Sequence, residues 1–519
     1  MRFSRAVTFL IPFLGFQCIQ ASGQQVATWT DTTGNWSNPA NWSTLTVPNN
    51  GGGTTYSVTI AVPSSSVAMD VLNVTVDNLT LGATDNLFST PSTGSLNLVS
   101  GGSSNSGDIR FLNATLDIGS NASLINNGPF GGNTGASLHA FEAELDNYGS
   151  LKNSSGASIV LDIGGKLVNY GTLNNFGIID GDTGGEDPAS FVFNKGSLIN
   201  KSVGQMQNVE YLSNTGVFVN NGLLGSTCNG VGLCGWYNNG TLTNNGTLTY
   251  DGPAIPAETQ VNCGGNLGPP GVTNCMFTNN GILTNNGTFQ NNGPLINNGT
   301  FVNKGSLLVG SDGTFTVSNV GTFTNSGAVT VSSTGLFTTN TNYTQTAGGT
   351  AVDGTLSATG GAVVNILSGT LSGTGTINGN VRMGGTMMPG DAPGTLTIFG
   401  NYEQTGTGIF QELMSPYAQA FLDVSGNVVL DPGARLGITL LGGFNPLGDT
   451  ISIMDFSALS GQFANGSSFW DDGFLWDITY RQHEVDVTAV QAPEPSSLLL
   501  LGIGSLAIGA IAKRKRVAQ

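Results

Sequence analysis

The sequence predicts an all-β chain wound as a parallel β-helix, or β-solenoid, of the right-handed type, with an N-terminal signal helix and a short hydrophobic C-terminal helix. Three observations carry this. Between Asn279 and Leu307 glycine returns every six residues, at Gly281, Gly287, Gly293, Gly299 and Gly305. An apolar residue follows each of them two positions later, at Leu283, Phe289, Leu295, Phe301 and Leu307, and an Asn-Asn or Asn-Lys pair precedes each. Downstream, Gly313, Gly321, Gly327 and Gly335 continue at steps of eight or six, so the spacing stays even.

Strand side chains alternate between two faces, so even steps return every Leu or Phe to one interior. A helix needs apolar residues at a period of 3.6, and Asn-Asn-Gly every six residues would break it. Each unit therefore reads as a short strand followed by a corner, where Asn and Gly tolerate turn and left-handed conformations. One six-residue unit cannot bury its single large side chain alone. Three such sides close a coil of about eighteen residues, with Leu and Phe ladders in the centre and asparagines stacked at the corners. Hexads also occur in left-handed β-helix acyltransferases, but there the order of apolar and small residues differs. Related echoes stand at Asn126-Asn127-Gly128, Gly171 and Gly177, Gly216 and Gly222, and Gly240 and Gly246.

In chain order, residues 1–23 read as a secretory signal peptide. Arg2 and Arg5 precede an apolar run from Ala6 to Phe16, and Ala21 and Gly23 place cleavage before Gln24. Cys18 follows Gly15-Phe16-Gln17, whose bulky members argue against lipid attachment. Export then runs through the Sec translocon. Residues 24–58 hold Trp29, Trp36 and Trp42, which suit a cap over the open end of the solenoid, or a surface on which sugars stack. Residues 59–368 carry the Asn/Gly repeats, residues 369–490 a second β region, and residues 491–519 a separate tail.

Removal of the signal leaves Cys228, Cys234, Cys263 and Cys275, an even number suited to disulfides in an oxidising compartment. Pairing within each of the two close sets needs least loop closure, and neither spacing suits zinc. Asp180, Asp182, Glu186 and Asp187 form the densest acidic stretch, a weak calcium candidate, since the twelfth position counted from Asp180 is Phe191 rather than Glu. No other cofactor is expected. Gly373, Gly375 and Gly379 miss the dinucleotide spacing and belong to the repeat.

Charged residues make up 9% of the chain and His is 2, which leaves little for acid/base catalysis. His139 and His483 sit in no catalytic motif, and no enzymatic activity is expected. The formal charge is −17, and loss of both terminal signals makes the exported part more acidic. Binding to nucleic acid or anionic lipid through charge is thereby excluded.

The pattern Gly34-x-Trp36-x-x-Pro39-x-x-Trp42 resembles the start of many autotransporter-like surface proteins. Ser372-Gly373-Thr374-Gly375-Thr376-Ile377-Asn378-Gly379-Asn380-Val381 and Pro389-Gly390-Asp391-Ala392-Pro393-Gly394-Thr395-Leu396 resemble an autotransporter passenger region. At the end, Pro493-Glu494-Pro495 precedes an apolar run from Leu498 to Ala512 and then Lys513-Arg514-Lys515-Arg516. The run is shorter than the ~20 residues that span a bilayer comfortably, and the basic cluster should stay cytoplasmic. This order resembles the PEP-CTERM sorting signal of Gram-negative bacteria. The resemblance implies transient residence in the inner membrane, cutting by an exosortase near Pro-Glu-Pro, and release to the cell surface or matrix. A structural or adhesive surface protein associated with exopolysaccharide or biofilm is the expected function. A polysaccharide-binding or polysaccharide-cleaving β-helix is the alternative.

Overall fold

The computed structural model describes residues 23–90, 94–127, 136–181, 190–226, 235–252, 276–311, 313–390, 394–417 and 419–490. The expected signal helix and C-terminal helix lie outside these residues. What is described is almost entirely strand, with one helical turn, Pro39–Asn41. The chain divides into two compact units. One holds residues up to Val160 with Tyr170–Leu173, and the other holds Leu161–Asn169 and everything from Asn174.

Through the repeats of the second unit strands pair in parallel with the strand three places later, so one coil has three sides. Ile282–Asn285 pairs with Thr300–Asn303, Thr288–Asn291 with Ser306–Val309, and Phe277 sits beside Leu295. These partners are 18 residues apart, the coil length that the hexads predict. The strand Thr288–Asn291 shows why the repeat works: Phe289 and Asn291 point inward and are buried, while Thr288 and Gln290 face out. Inside, aromatic rings run along the axis from Phe289 to Phe301 at 5.8 Å, from Phe301 to Phe315 at 5.1 Å and from Phe315 to Phe337 at 4.6 Å. Full burial of each such side chain is worth roughly 1.5–3 kcal/mol.

The two asparagines of each Asn-Asn-Gly corner do different work. The first turns inward at 0–1% exposure, and at two of the three corners its amide bonds to its counterpart one coil on. One ladder runs Asn194, Asn214, Asn238, Asn279, Asn297 with donor–acceptor distances of 2.7, 2.8, 2.7 and 2.6 Å. A second runs Asn200, Asn220, Asn244, Asn285, Asn303, Asn325 at 2.7 to 2.8 Å. Each rung also donates to a backbone carbonyl, as Asn285 Nδ2 does to Ser306 O at 2.9 Å. The second asparagine stays outside and forms a shallower ladder, for example Asn286 to Asn245 at 2.8 Å. The third corner lacks these ladders: its Asn291 stands between Tyr250 and Val309 and donates to Thr314 O at 3.1 Å instead.

Two expectations need correction. The hexad glycines are not left-handed; none of Gly281, Gly287, Gly293, Gly299 and Gly305 has a positive φ. They are required by close approach, because a Cβ at Gly287 would collide with the carbonyl oxygen of Gly246 one coil before. Gly287→Ala should therefore cost about 3 kcal/mol in denaturant unfolding. Gly225→Ala, where a Cβ meets nothing within 4 Å, should cost under about 0.5 kcal/mol.

Even spacing is the second. Tyr343 pairs with Val364, 21 residues on, and Val364 with Val381, 17 residues on, yet all three point inward. Alternation holds inside these strands, while the corners absorb parity. Residues 346–348 and 367–369 make three-residue corners, and each ends on a left-handed glycine, Gly348 at φ +72° and Gly369 at φ +84°. Two-residue corners such as Asn286-Gly287 need no such turn.

In the first unit Gln24–Thr28 pairs with Thr55–Ile60, which pairs with Asn78–Leu81. At the other end of the chain the parallel pattern stops. Ser468–Asp471, Phe474–Tyr480 and Glu484–Val490 form an antiparallel meander that joins Thr450–Asp455. Strand Arg435–Leu440 pairs on one side with Ile409–Met414. Along its other side alternate N–H groups donate to side chains: Leu436 to Asn465 at 2.8 Å, Ile438 to Asp471 at 2.8 Å, and Leu440 to Asp472. Carboxylates on an edge strand deter pairing with another chain.

Candidate functional site

The three tryptophans are core, not surface. Trp29, Trp36 and Trp42 are 1%, 0% and 0% exposed and meet edge to face at 5.0 and 4.7 Å. Trp42 Nε1 donates to Trp36 O at 2.9 Å and Trp36 Nε1 to Pro48 O at 3.0 Å. The asparagine before Pro39 explains the bend between them, since Asn38 accepts from Ala40 N and caps the single helical turn. Sugars have no access to these rings, so the stacking alternative fails.

Asp180 is the described member of the acidic stretch. Its carboxylate accepts from Gln207 Nε2 at 3.0 Å and Asn208 Nδ2 at 2.8 Å, both on the next coil, which gives it a local role in stacking. Asp182, Glu186 and Asp187 lie outside the described residues, as do Cys228, Cys234, Cys263 and Cys275. Those cysteines fall in segments between strands Leu223–Gly225 and Gly235–Asn238, and between Thr247–Tyr250 and Phe277–Asn279. Both segments leave from the corner without an asparagine ladder.

The histidines fall in separate units. His139 Nε2 lies 3.8 Å from Asp108 Oδ1, which also accepts from Ser137 at 2.6 Å. His483 Nδ1 lies 3.0 Å from Ser457 O, an acceptor, so this nitrogen carries the hydrogen. His483 lines a surface cavity of about 350 Å³ with Asp455, Phe456, Arg481, Gln482 and Glu484. Strand register places Asp423 beside Asp455 and Asp455 beside Glu484. Burial, then the charges of Glu484, Asp423 and Asp486, raise the Asp455 carboxyl above its ordinary range, and His483 opposes this. Arg481 bonds Glu484 at 3.0 Å and Asp486 at 2.8 Å.

Sequence reading missed two features. Glu412 points into the core between Phe410 and Met414 at 0% exposure, and neither carboxyl oxygen has a hydrogen-bond partner. Burial raises its carboxyl well above the ordinary range. The alternation of Phe410, Glu412 and Met414 was the available signal. The second is an aromatic pair in the first unit. Tyr148 and Tyr170 take the outward corner position in Asn147-Tyr148-Gly149 and Asn169-Tyr170-Gly171, where the hexads have asparagine. Their rings stack at 4.5 Å and 6° between planes while 45% and 40% exposed. Burial, then Asp146, Tyr170 and Asp117, push the Tyr148 hydroxyl up to about 12.

Comparison with known proteins gives three findings. Residues 491–516 match the PEP-CTERM protein-sorting motif, which contains Pro493, Glu494, Pro495 and the basic residues Lys513, Arg514, Lys515 and Arg516. The motif implies export and processing by exosortase-type machinery; these residues lie outside the described ones. Among described residues no helix is long and apolar enough to cross a membrane. No curated protein matches the chain. The crystal structure of the Haemophilus influenzae Hap adhesin is similar over 84% of this chain at 12% identity, with a TM-score of 0.26. The match spans 60% of that structure's own length.

Proposed function

We propose that this protein is a non-catalytic structural or adhesive component of the cell surface or extracellular matrix, held in exopolysaccharide or biofilm. The observation that carries the reading is the sorting motif at residues 491–516, in a chain whose described residues are almost entirely stacked β strands. Outward positions support the association with hydrated polysaccharide. Thr288, Gln290 and the outer asparagine ladders present many neutral hydrogen-bonding groups in register. Individually these contacts are weak, and repetition along the coils multiplies them. Glycosidic cleavage usually requires two carboxylates at a set separation across the sugar.

The purified protein should sediment with the host's exopolysaccharide and release no reducing sugar from it, with or without calcium. Deleting the gene should change surface or biofilm properties rather than growth on a carbon source. Sugar release above the level of a denatured control would overturn the non-catalytic part.

A further inference from the structure

We infer that Tyr148 and Tyr170, with the outward carboxyl groups of Asp117, Glu144 and Asp146, form a binding platform for a polysaccharide of protonated amino sugars. The inference rests on the matrix reading above and names a ligand class and a place for it.

The geometry begins with register. Asp117 pairs with Asp146 and Thr115 with Glu144 across neighbouring coils, so the three acidic residues take outward positions on one sheet, with Asp146 Oδ1 itself buried. Tyr148 follows Asp146 by two residues at the corner that ends this strand. Tyr148 N donates to Ile118 O at 2.8 Å, as Tyr170 N does to Asn147 O at 2.8 Å. Gly119 therefore stands one coil before Tyr148, where Tyr148 itself stands one coil before Tyr170. Glycine has no side chain to lie against a ring, and Tyr148 stacks on Tyr170 with one face while its side chain stays 45% exposed.

An exposed aromatic face takes the apolar side of a pyranose, and it attracts a cation placed over it. Neutral sugars would use only the first of these. The nearby carboxyl row selects for an ammonium group, through charge-assisted hydrogen bonds that a hydroxyl or an acetamide does not supply. The repulsion within that row supports the same choice. Burial, then the charge of Glu144, raises the Asp117 carboxyl above its usual range, and an arriving cation relieves that repulsion.

The test is titration of the full-length protein with a β-1,4-linked glucosamine hexamer, at a pH where its amines are protonated, alongside its N-acetylated counterpart and a glucose hexamer. The glucosamine hexamer should bind at least tenfold more tightly than either of the others. Tyr148→Ala should weaken it tenfold or more, and Tyr148→Phe, which keeps the ring, should stay within twofold of the parent. Asp117→Asn with Asp146→Asn should remove the preference for the amine. Equal affinity for the three hexamers would overturn the inference, as would a folded Tyr148→Ala protein that binds within twofold of the parent. Sedimentation with host exopolysaccharide separates this from the broader reading. If the parent protein does not sediment with the matrix, the matrix reading falls. If Tyr148→Ala sediments as well as the parent, the platform falls and the matrix reading stands.

Discussion

Replacing Asn285 by leucine should cost about 3–5 kcal/mol of unfolding free energy, far more than its size suggests. Asn285 is fully buried, accepts from Asn244 at 2.8 Å, donates to Asn303 at 2.8 Å and donates to Ser306 O at 2.9 Å. The substitution leaves two buried partners with unmet polar groups and breaks the ladder in the middle. Each coil is supported mainly by its neighbours, so the break also uncouples the coils on either side. Asn286→Ala, one residue away on the outer ladder, should cost about 0.5 kcal/mol, because water replaces the lost bond. Denaturant titration of the two variants checks this. Equal costs would mean that the inner ladder does not hold the coils together.

Glu412 gives the second large effect, and its sign is opposite. Its carboxyl is raised by burial, so the folded chain holds a proton that the unfolded chain gives up near pH 4.3. Stability from this proton is fully present below that pH. It is lost as pH rises, at up to about 1.4 kcal/mol per unit until the folded group ionises. Glu412→Leu should therefore stabilise the protein by about 2–3 kcal/mol at pH 7, and the gain should shrink toward pH 4. Thermal melts of parent and variant between pH 4 and pH 8 read the difference directly. A gain that is the same at every pH would contradict the assignment.

The sequence made the solenoid legible wherever one residue type did one job. Phe289 and Leu295 mark the interior because strands alternate, and their spacing gives the 18-residue coil. Where one letter does two jobs, the reading failed. Asn285 and Asn286 are the same residue type, yet one is core and the other is surface, and only the fold tells them apart. Gly287 and Gly348 are both corner glycines, one there for closeness and one for a left-handed turn. Parity failed because corner length is set by loop geometry, which the alternation of a strand does not record.

The sorting signal was legible at the tail, where three features stand in order. The tryptophans misled in part, since a cap residue and a sugar platform draw on the same side chain. Tyr148 and Tyr170 were visible only as a departure from Asn-Asn-Gly, and their meaning depends on Gly119 one coil away. The antiparallel meander near the C-terminus, with Asp471 and Asp472 on a strand edge, left no periodic trace.

The measurement that tests the account most directly is mass spectrometry of the protein recovered from the cell surface, for the parent and for a variant with Pro493, Glu494 and Pro495 replaced by alanine. The account predicts that the parent's surface form lacks the segment from Lys513 to Gln519, and that the variant stays in the membrane fraction with this segment attached. Surface-released protein that still carries an intact Lys513–Gln519 tail would contradict it.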